Sequence, residues 1–136
     1  MIKSENEVSN FLKLVFGILG DDERCSINDA AWVGKENKTR KYMNETGIKF
    51  DDIKEVIKEL TVANYSSTEN DGNKNFPNEL VWKFGITKTM VDVEEELYIK
   101  LKIRKFEEDT LLVMSFHPEE PKRPEDKLQF PYEKVS

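Results

Sequence analysis

ELYIKLKIR, residues 96–104, alternates apolar and polar side chains along its whole length. Successive side chains of a β-strand point to opposite faces. The stretch is therefore predicted as a strand with Leu97, Ile99, Leu101 and Ile103 on one face and Tyr98, Lys100, Lys102 and Arg104 on the other. From Tyr98 onward the polar face carries three cations and a tyrosine with no carboxylate, in a chain whose formal net charge is −6. Base concentrated here and acid elsewhere points to a site for an anion, phosphate first. The alternative is a solvated strand face, or an edge protected by charge.

Two similar runs flank it. ELVWKFGI, residues 79–86, sets Leu80, Trp82, Phe84 and Ile86 against Val81, Lys83 and Gly85. TLLVMSFH, residues 110–117, sets Leu112, Met114 and Phe116 against Leu111, Val113, Ser115 and His117. FEEDT suits the hairpin joining the second and third strands, and an antiparallel meander is expected. The bulky residues Trp82, Phe84, Ile99, Leu101, Met114 and Phe116 should face the helices. The other face then collects Lys83, Tyr98, Lys100, Lys102, Arg104, Ser115 and His117 from three strands.

Helices are expected upstream. Ser4-x-x-Glu7 has the form of a capping box and precedes an apolar stripe at helical spacing, predicting a helix over residues 5–19 with Phe11, Val15, Phe16 and Leu19 as core. The acidic turn Asp21-Asp22-Glu23 follows, then a segment from Cys25 to Val33 that suits a short helix or a strand. A charged stretch, 35–46, ends at Gly47, a helix C-cap residue. Ile53, Val56, Ile57 and Leu60 mark a helix starting at Asp51 or Asp52. Residues 64–78 read as a loop, as does the acidic run Glu94-Glu95-Glu96. Helices followed by a meander define an α+β domain over residues 1–120, with 1–45 as a helical extension. The tail, 121–136, holds Pro121, Pro124 and Pro131, which argue against regular structure.

The bulk numbers bound the function. At 136 residues, 38% hydrophobic, the chain supports one core. Lys13 and Gly17 break the longest apolar run, so no membrane span is expected, and the N-terminus lacks a signal-peptide pattern. One cysteine, Cys25, forms no internal disulfide, and a cytoplasmic location is the natural expectation. A pI near 5 weighs against a general nucleic-acid binder without excluding a local basic site. Zinc spacing, a Walker loop and GxSxG are all missing, so neither a metal nor a small-molecule cofactor is expected.

In their order and spacing, ELVWKFG, ELYIKLKIR and LLVMSFHP, preceded by TGIKFDDIKEVIKELTVANY, resemble the MqsR family of bacterial toxins, over roughly residues 46–120. The resemblance implies a RelE-like fold with N-terminal helices packed on one face of an antiparallel β-sheet. It also implies an mRNA-cutting endoribonuclease neutralised by a cognate antitoxin protein. It places the family's strand tyrosine at Tyr98, its active-site amide at Lys83 and its polar residue after Ser-Phe at His117. The family's loop lysine has no counterpart, since Ser66 and Ser67 stand there. The expected catalytic set is Lys83, Tyr98 and His117, and the expected RNA-binding set is Lys100, Lys102 and Arg104. In this reading His117 is the acid, and Tyr98 orients the 2′-hydroxyl, stacks on a base, or serves as base with its pKa lowered by neighbouring cations. The rival reading is a non-catalytic RelE-like binding module that blocks a protein or nucleic-acid-bound target through its basic strand face.

Overall fold

A computed structural model describes residues 1–28, 37–72, 75, 77–105, 107–121 and 123–133. Its helices are α1 (Glu5–Leu19), α2 (Lys38–Thr46) and α3 (Phe50–Ile57). Its strands are β1 (Cys25–Ile27), β2 (Tyr65–Asn70), β3 (Leu80–Met90), β4 (Val93–Lys105) and β5 (Asp109–Pro118). They form one five-stranded sheet in the order β1-β5-β4-β3-β2. The meander β3-β4-β5 is antiparallel as expected, and β1 adds parallel to β5, making the α+β sheet mixed. Residues 29–33 of the segment left open in the sequence lie outside the described residues.

The helix signals act as read. Ser4 Oγ accepts from the Glu7 amide at 3.2 Å while Glu7 Oε1 accepts from the Ser4 amide at 3.1 Å, closing the capping box. Gly47 ends α2 at φ 76°, a conformation that favours glycine, and its amide bonds the Met43 carbonyl at 2.8 Å. α1 buries Val8, Phe11, Leu12, Val15, Ile18 and Leu19. Phe16 is not core as expected but 40% exposed, because it sits roughly 90° around the helix from the centre of that stripe.

Phe84, Leu97, Ile99, Leu101, Leu111, Val113 and Phe116 of the covered sheet face join one core with the buried stripes of α1 and α3 and with Tyr42 of α2, whose ring centre lies 6.4 Å from that of Phe116. Burying each such side chain contributes about 1.5–3 kcal/mol. Trp82 is only half-buried, stacked on Phe11 with ring centroids 4.2 Å apart. The facing of β5 differs from the expectation. Pairing steps from Lys100–Ser115 directly to Leu101–Val113, a β-bulge that leaves Met114 as the extra residue. Beyond it the alternation is reversed, so Leu111 and Val113 enter the core while Leu112 and Met114 line a cavity beside Lys102 and Arg104.

Three other expectations are corrected. Residues 65–70 are a strand rather than loop: YSSTEN pairs with β3 and buries Tyr65, Ser66 and Thr68. Glu94, Glu95 and Glu96 belong to β4, because β3 and β4 run on to a tight turn at Val91 and Asp92, both at positive φ. α3 ends at Ile57, short of the expected Leu60. Among its described residues, 121 and 123–133, the tail has one 3-10 turn, Pro124–Asp126, and no other regular element, yet it packs down. Leu128 and Phe130 lie on Gly85, where an added Cβ would approach Phe130 Cζ to 2.8 Å. The Tyr132 hydroxyl donates to the Lys3 carbonyl at 2.5 Å. Among the described residues no helix is long and apolar enough to cross a membrane.

Candidate active site

The strand ladder decides which polar residues meet on the face away from α1 and α3. One rung is Gly85–Tyr98–His117 and the next is Lys83–Lys100–Ser115. Directly opposed side chains on adjacent strands are in reach of each other. The Tyr98 and His117 rings stack with centroids 5.4 Å apart, and Lys100 Nζ lies 5.7 Å from the Tyr98 ring centre. Tyr98, Lys100, Ser115 and His117 share a cavity of about 360 Å³. Its walls are Lys38 at the start of α2 and the segment after β5, which brings Glu119 and Glu120.

Burial sets the protonation states here. It holds the His117 imidazole below its ordinary 6.5, with Lys38 and Lys100 adding to the effect against the Pro118 carbonyl and Glu120. His117 Nδ1 lies 2.8 Å from the Pro118 carbonyl oxygen, which only accepts. Nδ1 therefore carries the proton, and Nε2 of the neutral ring is a bare acceptor. Burial, with Glu69 and Glu119, pushes the Tyr98 hydroxyl up to about 12. All three influences act in the same direction, opposite to the lowering that a base role for Tyr98 requires, so Tyr98 stays a phenol. Burial and the neighbouring Lys83 hold Lys100 below the usual lysine value, against Glu69 and Asp71.

The other expected residues fall elsewhere. Lys83 stands opposite Lys100 but does not line the cavity, and its Nζ pairs with Glu69 at 3.1 Å. Lys102 is 2% exposed, with Nζ 2.5 Å from Asp71 Oδ2 and 2.9 Å from Glu79 Oε1. Arg104 forks onto Glu79, Nε to Oε2 at 2.9 Å and Nη2 to Oε1 at 3.0 Å. Between Tyr98 and Arg104 this face of β4 supplies no carboxylate of its own, and the connection between β2 and β3 brings Asp71 and Glu79 to it. Lys102 and Arg104 are thus an internal clamp, and their pairing separates them from the open cavity.

Sequence reasoning missed Lys38 as a cavity residue. No periodicity in α2 signals where its first residue lies. Thr39, next to it, accepts the Phe116 amide on its Oγ1 at 3.0 Å and is 2% exposed. That bond seals the outer edge of β5 past the reach of β1 and fixes Lys38 beside His117. A larger groove of about 620 Å³ between α1 and the sheet is lined mainly by Phe11, Leu14, Leu80, Trp82 and Ile103 and holds neither His117 nor Tyr98. The smaller cavity is where the chemistry converges.

In comparison with known families, residues 24–118, well over half the chain, fit the family described as motility quorum-sensing regulator, toxin of MqsA. Neither the comparison with characterised proteins nor that with solved structures found a match.

Proposed function

The chain belongs to the MqsR family, the toxins of toxin–antitoxin pairs, and on that premise we propose that it is an endoribonuclease cutting mRNA through its own 2′-hydroxyl without a metal. The observation that carries this is the stacked Tyr98–His117 pair with Lys100 in one cavity. Neutral His117 takes the 2′-hydroxyl proton on Nε2, which makes it the base rather than the acid of the sequence reading. The freed oxygen attacks the adjacent phosphorus, and the P–O bond to the 5′ oxygen breaks. Lys100, with its pKa held down, steadies the phosphate oxygens and gives its proton to the departing oxygen. One proton is taken and one returned, and the products are a 2′,3′-cyclic phosphate and a 5′-hydroxyl. Tyr98 remains a phenol that orients the 2′-hydroxyl or stacks on a base. Lys83, bound to Glu69, adds positive potential from the adjoining strand.

Its partners in this reading are an mRNA and a cognate antitoxin protein that neutralises it, and its place of action is the cytoplasm. The test is purified protein on mRNA with chelator present. His117→Ala should lose about 10²–10⁴-fold in rate, the usual worth of a positioned acid or base, and keep its fold. Fragments should end in 2′,3′-cyclic phosphate. The binding-module reading draws support from the net charge of −6, which disfavours RNA, whereas the internal pairing of Lys102 and Arg104 counts against it by removing two cations from the basic face. It predicts a bound RNA or protein target and no cut, and full cleavage by His117→Ala would refute the site.

A further inference from the structure

Lys38 and Glu120 form an ion pair across the mouth of the cavity, Nζ to Oε2 at 3.4 Å. The two ends of that pair are set up differently. Lys38 is the first residue of α2, and its neighbour Thr39 is pinned to the Phe116 amide, so the base of the Lys38 side chain has a fixed place beside His117. Its side chain is nevertheless 48% exposed, and Glu120 is 66% exposed. An exposed ion pair of this kind contributes little stability and opens readily. Glu120 lies just beyond the residues that fit the family, while Lys38 lies within them.

The other carboxylates at the cavity are otherwise engaged. Glu119 Oε1 accepts the Leu128 amide at 2.6 Å, and Asp126 takes the Arg123 guanidinium at 3.2 Å on both oxygens. Glu120 alone of these three faces a cation of the cavity wall. A carboxylate in that position presents a negatively charged oxygen where a phosphodiester oxygen of a bound strand would sit.

We infer that Lys38 is a phosphate-binding residue of the cavity and that Glu120 occupies it until RNA displaces the carboxylate. This rests on the ribonuclease reading and extends it: the strand is gripped from α2 as well as from the sheet, and the segment after β5 competes with substrate. Lys38 contacts a phosphate flanking the cut rather than the reacting atoms, so it acts on binding and leaves the chemical step to His117 and Lys100.

The experiment measures binding of a mixed-sequence 2′-O-methyl RNA 20-mer, which lacks the attacking hydroxyl, by fluorescence anisotropy across a potassium chloride series. Lys38→Ala should weaken binding several-fold and reduce the slope of log K against log salt by about 0.7, one phosphate's share for a single strand. Lys38→Arg should restore both. Glu120→Gln should tighten binding several-fold, and in the Lys38→Ala background it should do nothing. Parental affinity and slope in Lys38→Ala would overturn the inference. So would tightening by Glu120→Gln that persists without Lys38, since that would be a general charge effect. If the parent protein itself fails to bind the RNA and to cut mRNA, the ribonuclease reading has failed, and the parent measurement shows this before any variant is read.

Discussion

Lys100 and Lys102 stand on the same strand, on the same face, two residues or about 7 Å apart, and the fold treats them in opposite ways. Lys102 is sealed under Asp71 and Glu79. Lys100 faces a cavity with Tyr98, Ser115 and His117, and among the described residues no carboxylate pairs with it. Strand alternation puts both lysines on one side, but what arrives over that side from elsewhere decides the role of each. Over Lys102 and Arg104 the connection between β2 and β3 brings its own acid, and the result holds the sheet together. Over Lys100 come α2 and the segment after β5, whose Glu120 pairs with Lys38 and not with Lys100.

The largest effect expected from this contrast is on stability. Lys102→Ala removes the shared cation from Asp71 and Glu79, and breaking a buried pair from one side typically costs about 3–5 kcal/mol. Urea denaturation should register that loss, and a midpoint unchanged from the parent would put Lys102 in the same class as Lys100.

A smaller effect should appear in the pH profile of kcat/KM. The proposed mechanism needs the base form of His117, whose pKa burial holds below 6.5, so the acidic limb should fall tenfold per unit only beneath that pH. The alkaline limb should follow loss of the Lys100 proton, below the ordinary 10.5, while Tyr98 at about 12 contributes nothing in the neutral range. An acidic limb centred above 6.5 would contradict a buried neutral imidazole. The smallest effect concerns the clamp. Arg104 leads Lys102 in holding the Glu79 carboxyl below its ordinary 4.5. A depressed carboxylate stabilises the fold above its unfolded pKa and loses that contribution as pH falls through the folded one. Unfolding free energy should therefore decline below about pH 4.5, and Glu79→Gln should flatten that decline.

The same contrast marks what the sequence made legible. The capping box, the Gly47 stop and the strand alternation were readable because each is a local rule acting on neighbours in the chain. YSSTEN was not readable as β2, since its burial of Tyr65 and Thr68 follows from pairing with β3 and not from an apolar pattern. The turn at Val91–Asp92 was hidden for a related reason: it carries no glycine or asparagine, so both strands were read too short. The bulge at Met114 reverses the facing of half of β5 and leaves no mark in composition. Of the residues that line the cavity, Tyr98, Lys100 and His117 fall on one sheet face by strand alternation alone. Lys38 and the counter-ions Asp71 and Glu79 come from distant segments, and periodicity within a strand carries no information about them.

The central claim is that the open rung, and not the clamped one, carries the activity. It is tested most directly by Lys100→Ala in a single-turnover cleavage assay, with its urea midpoint measured on the same preparation. The account predicts a rate about 10²–10³-fold lower, the usual loss for one charge-stabilising donor, with the midpoint unchanged. A Lys100→Ala protein that cuts RNA at the parental rate would contradict it.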